Sequence, residues 1–249
     1  MRTRLIERFL AKRGLKVVPA DHAPSDTAVP ASLETAFPAF LNRLKARQFT
    51  IRSIVDVGAS DGRWSECVLP LFPDSRCLCI EARREHEPAL REFVNRHPQA
   101  EYAITAAGDR EGDIYFDTTD LFGGLASETG AVANCVKVPV TTIDNLVEAH
   151  GLSPPYLIKL DTHGYELPIL AGATRTLEQT EALVVEVYNF LIAPTAVRFA
   201  DFCCLMAEKG FLCLDLFDPM YRPSDGAIWQ MDLMFARSSR PEFQNQRYT

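Results

Sequence analysis

The sequence predicts an α/β fold, a doubly wound and mostly parallel sheet with helices on both faces. Three observations predict it. Ser53-Ile54-Val55-Asp56-Val57-Gly58-Ala59-Ser60-Asp61-Gly62 reads as a buried strand running into a tight turn and a helix. From there to Lys209, apolar strand-like runs alternate with helical patterns, as βαβ units require. Finally, Phe211–Phe217 and Trp229–Ala236 are two strand-like runs with no helix between them, which makes the final strand antiparallel.

The elements follow in order. Met1–Lys16 is a short basic amphipathic helix, with Leu5, Ile6, Phe9 and Leu10 at helical spacing. It packs on a domain edge or a partner; a membrane-surface contact is the less favoured alternative. Pro19–Pro30 is turn-rich and reads as a linker. Leu33–Phe49 is a helix leading into the first strand. Residues 1–50 are therefore an N-terminal helical extension and linker, 51–237 the main domain and 238–249 a C-terminal tail. After Gly62, Trp64, Cys67, Val68 and Leu71 mark a helix face, with Ser60 or Asp61 as N-cap and Pro70 and Pro73 as its end. Arg76–Ile80 is the second strand, with Glu81 at its tip. A helix closed by Pro98, a strand Tyr102–Ala106 and an exposed strand Ile114–Phe116 come next. Leu121–Gly130 is a small-residue loop of the kind that borders binding sites.

Val136–Val140 is a strand, and Thr142 caps a helix that Gly151 stops. Tyr156–Leu160 is a buried strand ending at Asp161. Ile169–Leu177 is helical in one or two pieces, Ala182–Val187 is a strand, and Thr195–Lys209 is a helix closed by Gly210. Asp218–Gly226 joins the last two strands.

Composition narrows the function. The formal net charge of −7 argues against a protein that binds along a nucleic-acid backbone. The 7 cysteines fit no zinc spacing, and most lie in apolar runs, so they read as reduced and buried in a cytoplasmic protein. No apolar run is long enough to span a bilayer.

The chemistry concentrates at strand ends. A dinucleotide site wants glycine at three positions, which here hold Gly58, Ser60 and Arg63. Ser60 cannot let a pyrophosphate approach the backbone, so a nicotinamide-dependent oxidoreductase is disfavoured. A nucleoside cofactor without phosphates needs no such cradle. S-adenosylmethionine is one: its amino-acid end would sit on the turn Gly58–Gly62, near Ala59 and Ser60, with Asp56 or Asp61 accepting from its ammonium. Glu81 would accept from the ribose hydroxyls, since a carboxylate offers paired acceptor oxygens. Ala107, Gly108 and Asp109 would border the adenine.

Val55-Asp56-Val57-Gly58-Ala59, Ile80-Glu81, Ile158-Lys159-Leu160-Asp161-Thr162-His163-Gly164-Tyr165-Glu166 with Leu170-x-Gly172-Ala173, and the ending Tyr221-Arg222-Pro223 then Met231-Asp232-Leu233-Met234-Phe235 resemble the FkbM family of S-adenosylmethionine-dependent methyltransferases. The resemblance covers about 51–237. It implies a class I methyltransferase (Rossmann-like) fold with a seven-stranded sheet, and O-methylation of a hydroxyl on a sugar or secondary metabolite. Many relatives carry Glu or Gln where this chain has His163.

An alcohol acceptor must lose its proton to a base or be acidified by a metal. Asp161 is the first candidate for positioning or base, and His163 the second, because its side chain titrates near neutrality. Glu186 and Asp232 complete an acidic ring. Lys159, between Ile158 and Leu160, is expected to neutralise a nearby carboxylate. Asp161, His163 and Glu186 could together hold a divalent cation, but no tight ligand spacing points to one, and no metal is expected. Tyr188, Asn189 and the loop 122–129 are expected to wall the acceptor pocket. The rival reading is a non-catalytic cofactor-binding or interaction module that docks through the basic N-terminal helix.

Overall fold

The computed structural model describes residues 35–117, 126–127, 135–245 and 247–248. The basic helix expected at 1–16, the linker at 19–30 and most of the loop at 121–130 lie outside the described residues. The elements are α1 (Phe37–Ala46), β1 (Ser53–Val57), α2 (Arg63–Val68), β2 (Arg76–Glu81), α3 (Glu87–Arg96), β3 (Ala100–Ile104), β4 (Ala106–Ala107), β5 (Gly112–Asp117), β6 (Ala126–Ser127) and β7 (Cys135–Thr141). They continue with α4 (Ile143–Ala149), β8 (Tyr156–Leu160), α5 (Glu166–Ala171), α6 (Thr174–Glu178), β9 (Thr180–Tyr188), α7 (Phe199–Glu208), β10 (Phe211–Tyr221), β11 (Ile228–Arg237) and α8 (Pro241–Gln244).

Seven strands form the main sheet in the order β10-β11-β9-β8-β1-β2-β3. β1 pairs in parallel with β2 and β8, β2 with β3, and β8 with β9. Only β11 runs backwards, antiparallel to both β9 and β10. The reversed final strand is as expected, but its position between β9 and β10 is not deducible from its place in the chain. A four-stranded sheet, β4-β7-β5-β6, forms beside the main one. It was not foreseen. The run expected as one strand at 102–106 splits at Thr105, and β4 turns away to pair with β7.

β1 and β8 are buried along their whole length, as central strands covered on both faces must be. Side chains alternate between two cores. Ile54 and Leu157 pack in one with Phe40, Leu44, Leu90 and Phe93. Val55, Val57, Ile158 and Leu160 pack in the other with Ile169, Phe202 and Phe211. The strand period of two then puts Asp56, Lys159, Asp161, Glu186 and Asp232 all on the first face. They line the strand ends where apolar packing stops. Among the described residues, no helix is long and apolar enough to cross a membrane.

α1 closes the first face. Phe40 stacks on Phe217 of β10 with ring centroids 3.9 Å apart. Asp215 of β10 accepts from Arg43 Nε at 2.8 Å and from Arg47 at 2.6 Å. Burial raises the Asp215 pKa, but the two guanidiniums outweigh it and hold the carboxyl below its usual range. The Asp215 side chain is only 8% exposed, so removing it strands two arginines at the sheet surface. Asp215→Ala should lower the unfolding free energy by about 2–3 kcal/mol, less than a fully buried pair because the arginines reach solvent. Urea denaturation checks this, and Arg43→Ala should cost less because Arg47 still holds the carboxylate.

Candidate active site

The strand order reverses between β1 and β8, since β2 and β3 lie on one side and β9 on the other. Ligands of open α/β sheets bind beyond the carboxyl ends of the strands at that point. The turn after β1 is shaped by its partner there. Gly58 has φ +73°, and a Cβ on it would lie 2.1 Å from the Asp161 carbonyl oxygen. Glycine is required because the β8 backbone passes against the turn. Gly58 N and Ala59 N both donate to Ile80 O, which ties the turn to β2 as well.

The N-cap of α2 is Gly62, in the left-handed region, and not Ser60 or Asp61. A Cβ on Gly62 would meet the Phe93 ring at 2.9 Å. Asp61 instead accepts from Arg63 Nε at 2.7 Å and from Arg63 N at 3.3 Å, at the mouth of the turn.

Glu81 is 6% exposed. Its Oε2 accepts from Ser60 N at 2.7 Å and its Oε1 from Arg83 N at 2.8 Å. Two backbone donors thus fix the carboxylate across the tip of β2. Each oxygen keeps further acceptor capacity. Ser60 Oγ is buried and has no hydrogen-bond partner among the described residues. Ala59 is buried in the first core.

Asp56 is placed differently from expectation. It is fully buried, its Oδ2 accepts from Ser65 Oγ at 2.7 Å, and its Oδ1 lies 3.2 Å from Lys159 Nζ. Its carboxylate is committed to Ser65 and Lys159. Ala107 is buried at the end of β4, while Asp109 is exposed and paired with Arg110 at 2.9 Å.

Lys159 does neutralise carboxylates. Its ammonium lies 3.2 Å from both Asp56 Oδ1 and Asp161 Oδ2 and donates to Gly58 O at 3.2 Å. Burial lowers its pKa, but the two carboxylates outweigh that and raise it. Asp161 feels the same pair. Burial pushes it up, yet Lys159 and then His163 bring it down to about 2. Asp161 does not cap the following helix, whose N-cap is Tyr165.

His163 has φ +52°, and Gly164 follows at φ +96°. Glu166 holds this bend: its Oε1 accepts from Thr162 Oγ1 and from Gly164 N, both at 3.0 Å. Thr195 Oγ1 donates to Gly164 O at 2.6 Å from the other side. The bend delivers the imidazole to the end of β9. Its Nδ1 lies 2.7 Å from Tyr188 Oη and 3.1 Å from Glu186 Oε2, and its Nε2 lies 3.9 Å from Asp161 Oδ1. Tyr188 Oη donates to Glu186 Oε2 at 2.7 Å, and Gln230 of β11 donates to the other Glu186 oxygen. Burial, and then the Asp161 charge, raise the Glu186 pKa. Burial and the Glu186 charge likewise raise that of the Tyr188 phenol.

Asp161, His163 and Glu186 each bring a donor atom within 4.8 Å of the others. Asp232 sits opposite Glu186 in the β9–β11 register. Three contributors had not been singled out for these roles: Glu166 as the clamp of the bend, Tyr188 as the partner of the imidazole, and Gln230. Glu166 had a signal, a buried-looking acid just after the glycine of a strand-end turn. Gln230 had none, because its contact depends on where β11 inserts.

Residues 56–213 match the family model described as the methyltransferase FkbM domain. The chain belongs to the FkbM methyltransferase family. This FkbM protein is 32% identical over 79 residues to the hexuronic acid methyltransferase AglP of Haloferax volcanii, a stretch of 31% of this chain and 32% of that protein. It is 24% identical over 150 residues to the 2-O-methyltransferase NoeI of Sinorhizobium fredii, covering 53% of this chain and 62% of that one. The matches thus span about a third and about three fifths of these curated relatives. Among solved structures, a methyltransferase FkbM from Methylobacillus flagellatus aligns at 18% identity and a TM-score of 0.47, over 73% of this chain and 43% of that one.

Two substitutions test the buried charge pattern. Lys159→Met leaves Asp56 buried without its counter-ion, and should lower stability at pH 7 by about 3–5 kcal/mol. Asp161 is held below its unfolded value near 3.9, so its share of wild-type stability is present above pH ~4 and lost as pH falls towards about 2. The difference between wild type and variant should therefore shrink over that window in chemical denaturation series. Glu186→Gln removes a carboxyl whose pKa is raised by folding. It should leave stability at neutral pH unchanged or slightly higher, since the raised group opposes folding once pH exceeds its unfolded value.

Proposed function

We propose that this protein is an S-adenosylmethionine-dependent O-methyltransferase acting on a hydroxyl of a small acceptor, a sugar hydroxyl before other secondary-metabolite hydroxyls. The observation that carries this reading is the imidazole of His163, fixed through Nδ1 at the strand-order switch point beside the Gly58 turn. The cofactor fits the residues present. Glu81 is held in place by two backbone donors with acceptor capacity left for two ribose hydroxyls, and the buried Ser60 hydroxyl lacks a partner. In this reading Glu81 holds the ribose, the turn 58–62 with Asp61 at its mouth takes the amino-acid end, and Ala107 and Asp109 border the base. Asp56 drops out of that set, because its carboxylate is committed to Lys159 and Ser65.

The cofactor, when bound, supplies a methyl group on a sulfonium that is already primed to leave. The protein's part is to present the acceptor in line and take its proton. Tyr188 Oη donates to Glu186, so in this reading Nδ1 of His163 carries its proton and donates to Tyr188 Oη. That chain sets Nε2 as the proton acceptor. A hydroxyl presented to Nε2 gives up its proton as the methyl transfers. The imidazolium so formed faces Asp161, which stays ionised because its pKa is low. Asp161 is then the electrostatic and positioning partner, and His163 the base.

The rival module reading predicts cofactor binding with no turnover on any acceptor. Calorimetric titration with S-adenosylhomocysteine, with NAD as control, is the decisive first measurement; binding of neither ligand would overturn the proposal. Glu81→Ala should weaken S-adenosylhomocysteine binding by about ten-fold or more, the loss of a charge-assisted hydrogen-bond pair. His163→Ala should leave that binding within about two-fold and cut turnover by about 10²–10⁴. Equal turnover in the two proteins would remove His163 from the role of base.

A further inference from the structure

Two side-chain donors beside the turn after β1 are shielded from solvent and have no hydrogen-bond partner among the described residues: Ser60 Oγ and Trp64 Nε1. Buried polar groups are nearly always paired, so two orphan donors on one segment point to a ligand that accepts from them. Both stand on the stretch that runs from the Gly58 turn into α2, Trp64 being the second residue of that helix. The Trp64 ring centroid lies 5.9 Å from Lys159 Nζ, whose ammonium donates to Gly58 O at 3.2 Å. The indole is thus set against the turn from the helix side. The backbone carries a second sign. Ser60 has φ +53°, a region that favours glycine. A serine held there against that preference points to a use for its hydroxyl. Its N–H already donates to Glu81 Oε2, so the hydroxyl is what the side chain adds.

We propose that the Trp64 indole and the Ser60 hydroxyl grip the α-carboxylate of the cofactor, and that they make this protein select a cofactor that keeps that carboxylate. The proposal rests on the methyltransferase reading above and gives Trp64 a role that reading does not assign. An indole N–H donates and cannot accept, so it recognises an acceptor. A carboxylate is the charged acceptor of an amino-acid end, and donors to an ionised acceptor form the stronger class of hydrogen bond. Asp61 at the mouth of the turn has the opposite polarity, which suits the ammonium. Neutral donors also suit the place. A lysine or arginine aimed there would set a second positive charge near the cofactor's sulfonium, whereas an indole and a hydroxyl hold the carboxylate without one. Arg63, the cation of this stretch, faces Asp61 instead.

The test is calorimetric titration of the full chain with two ligands, S-adenosylhomocysteine and S-adenosyl-3-thiopropylamine, the same molecule without its carboxylate. Wild type should prefer the first by about ten-fold or more. Trp64→Phe keeps a ring in the core and removes the donor; it should weaken S-adenosylhomocysteine by about ten-fold and leave the analogue within about two-fold. Ser60→Gly accepts the positive φ and should show the same pattern with a loss of about three-fold or more. Nitrogen-15 NMR of wild type reads the contact directly. The chain holds 2 tryptophans, and the indole N–H signal that Trp64→Phe removes should move downfield with S-adenosylhomocysteine and stay in place with the analogue. The proposal is overturned, with the cofactor site left standing, if wild type binds both ligands equally or the Trp64 signal is unmoved by S-adenosylhomocysteine. Variants that are folded by circular dichroism yet weaken both ligands alike would overturn it too, since that marks a structural role. Binding of neither ligand by wild type would sink the methyltransferase reading itself, and the carboxylate grip with it.

Discussion

The whole site depends on one buried ammonium. Lys159 sits in the middle of a strand that is otherwise apolar and is reached by solvent at hardly any point. It stays charged because Asp56 lies opposite it in the β1–β8 register and Asp161 lies two residues on along the same face. A lone charge there would cost far more than the strand gains by packing. The ion pair therefore specifies register as well as charge. Slipping β8 by one residue against β1 would turn Lys159 into the opposite core and leave Asp56 alone.

From that pin the geometry follows. With β8 locked, the Asp161 carbonyl presses on the turn after β1, and only glycine fits at position 58. The same lock lets Lys159 reach the Gly58 carbonyl, so the turn after β1 and the loop after β8 share one anchor. Asp161 and His163 lie two residues apart yet have different surroundings. Asp161 is held ionised by the ammonium, and the imidazole is gripped by a phenol and a carboxyl whose own ionisation burial disfavours.

Much of this was legible in the sequence because it is local. Strand, turn and helix after Ser53, the acid at the tip of β2, the Thr142 cap and the reversed last strand are all written in spacing and turn residues. What was hidden is non-local. β4 leaves the main sheet because of pairing with β7, more than thirty positions on, and no periodicity records a partner's location. Asp56 looked like a ligand-facing acid because an aspartate near a strand end reads the same whether it faces the crevice or a lysine beneath it. Gln230 became visible as a partner of Glu186 only once β11 was seen to lie beside β9.

That insertion of β11 has a consequence for how the chain reaches its native state. β9 emerges long before its true neighbour, and β10 before it too, yet neither can pair with the other in the finished order. Until residues 228–237 arrive, β9 presents an apolar edge with half its backbone groups unmatched, the kind of surface that invites wrong partners during synthesis. Glu186 likewise waits for Gln230, and Tyr188 for Trp229. The strand that completes the sheet is thus also the one that brings Gln230 to Glu186 and Trp229 to Tyr188.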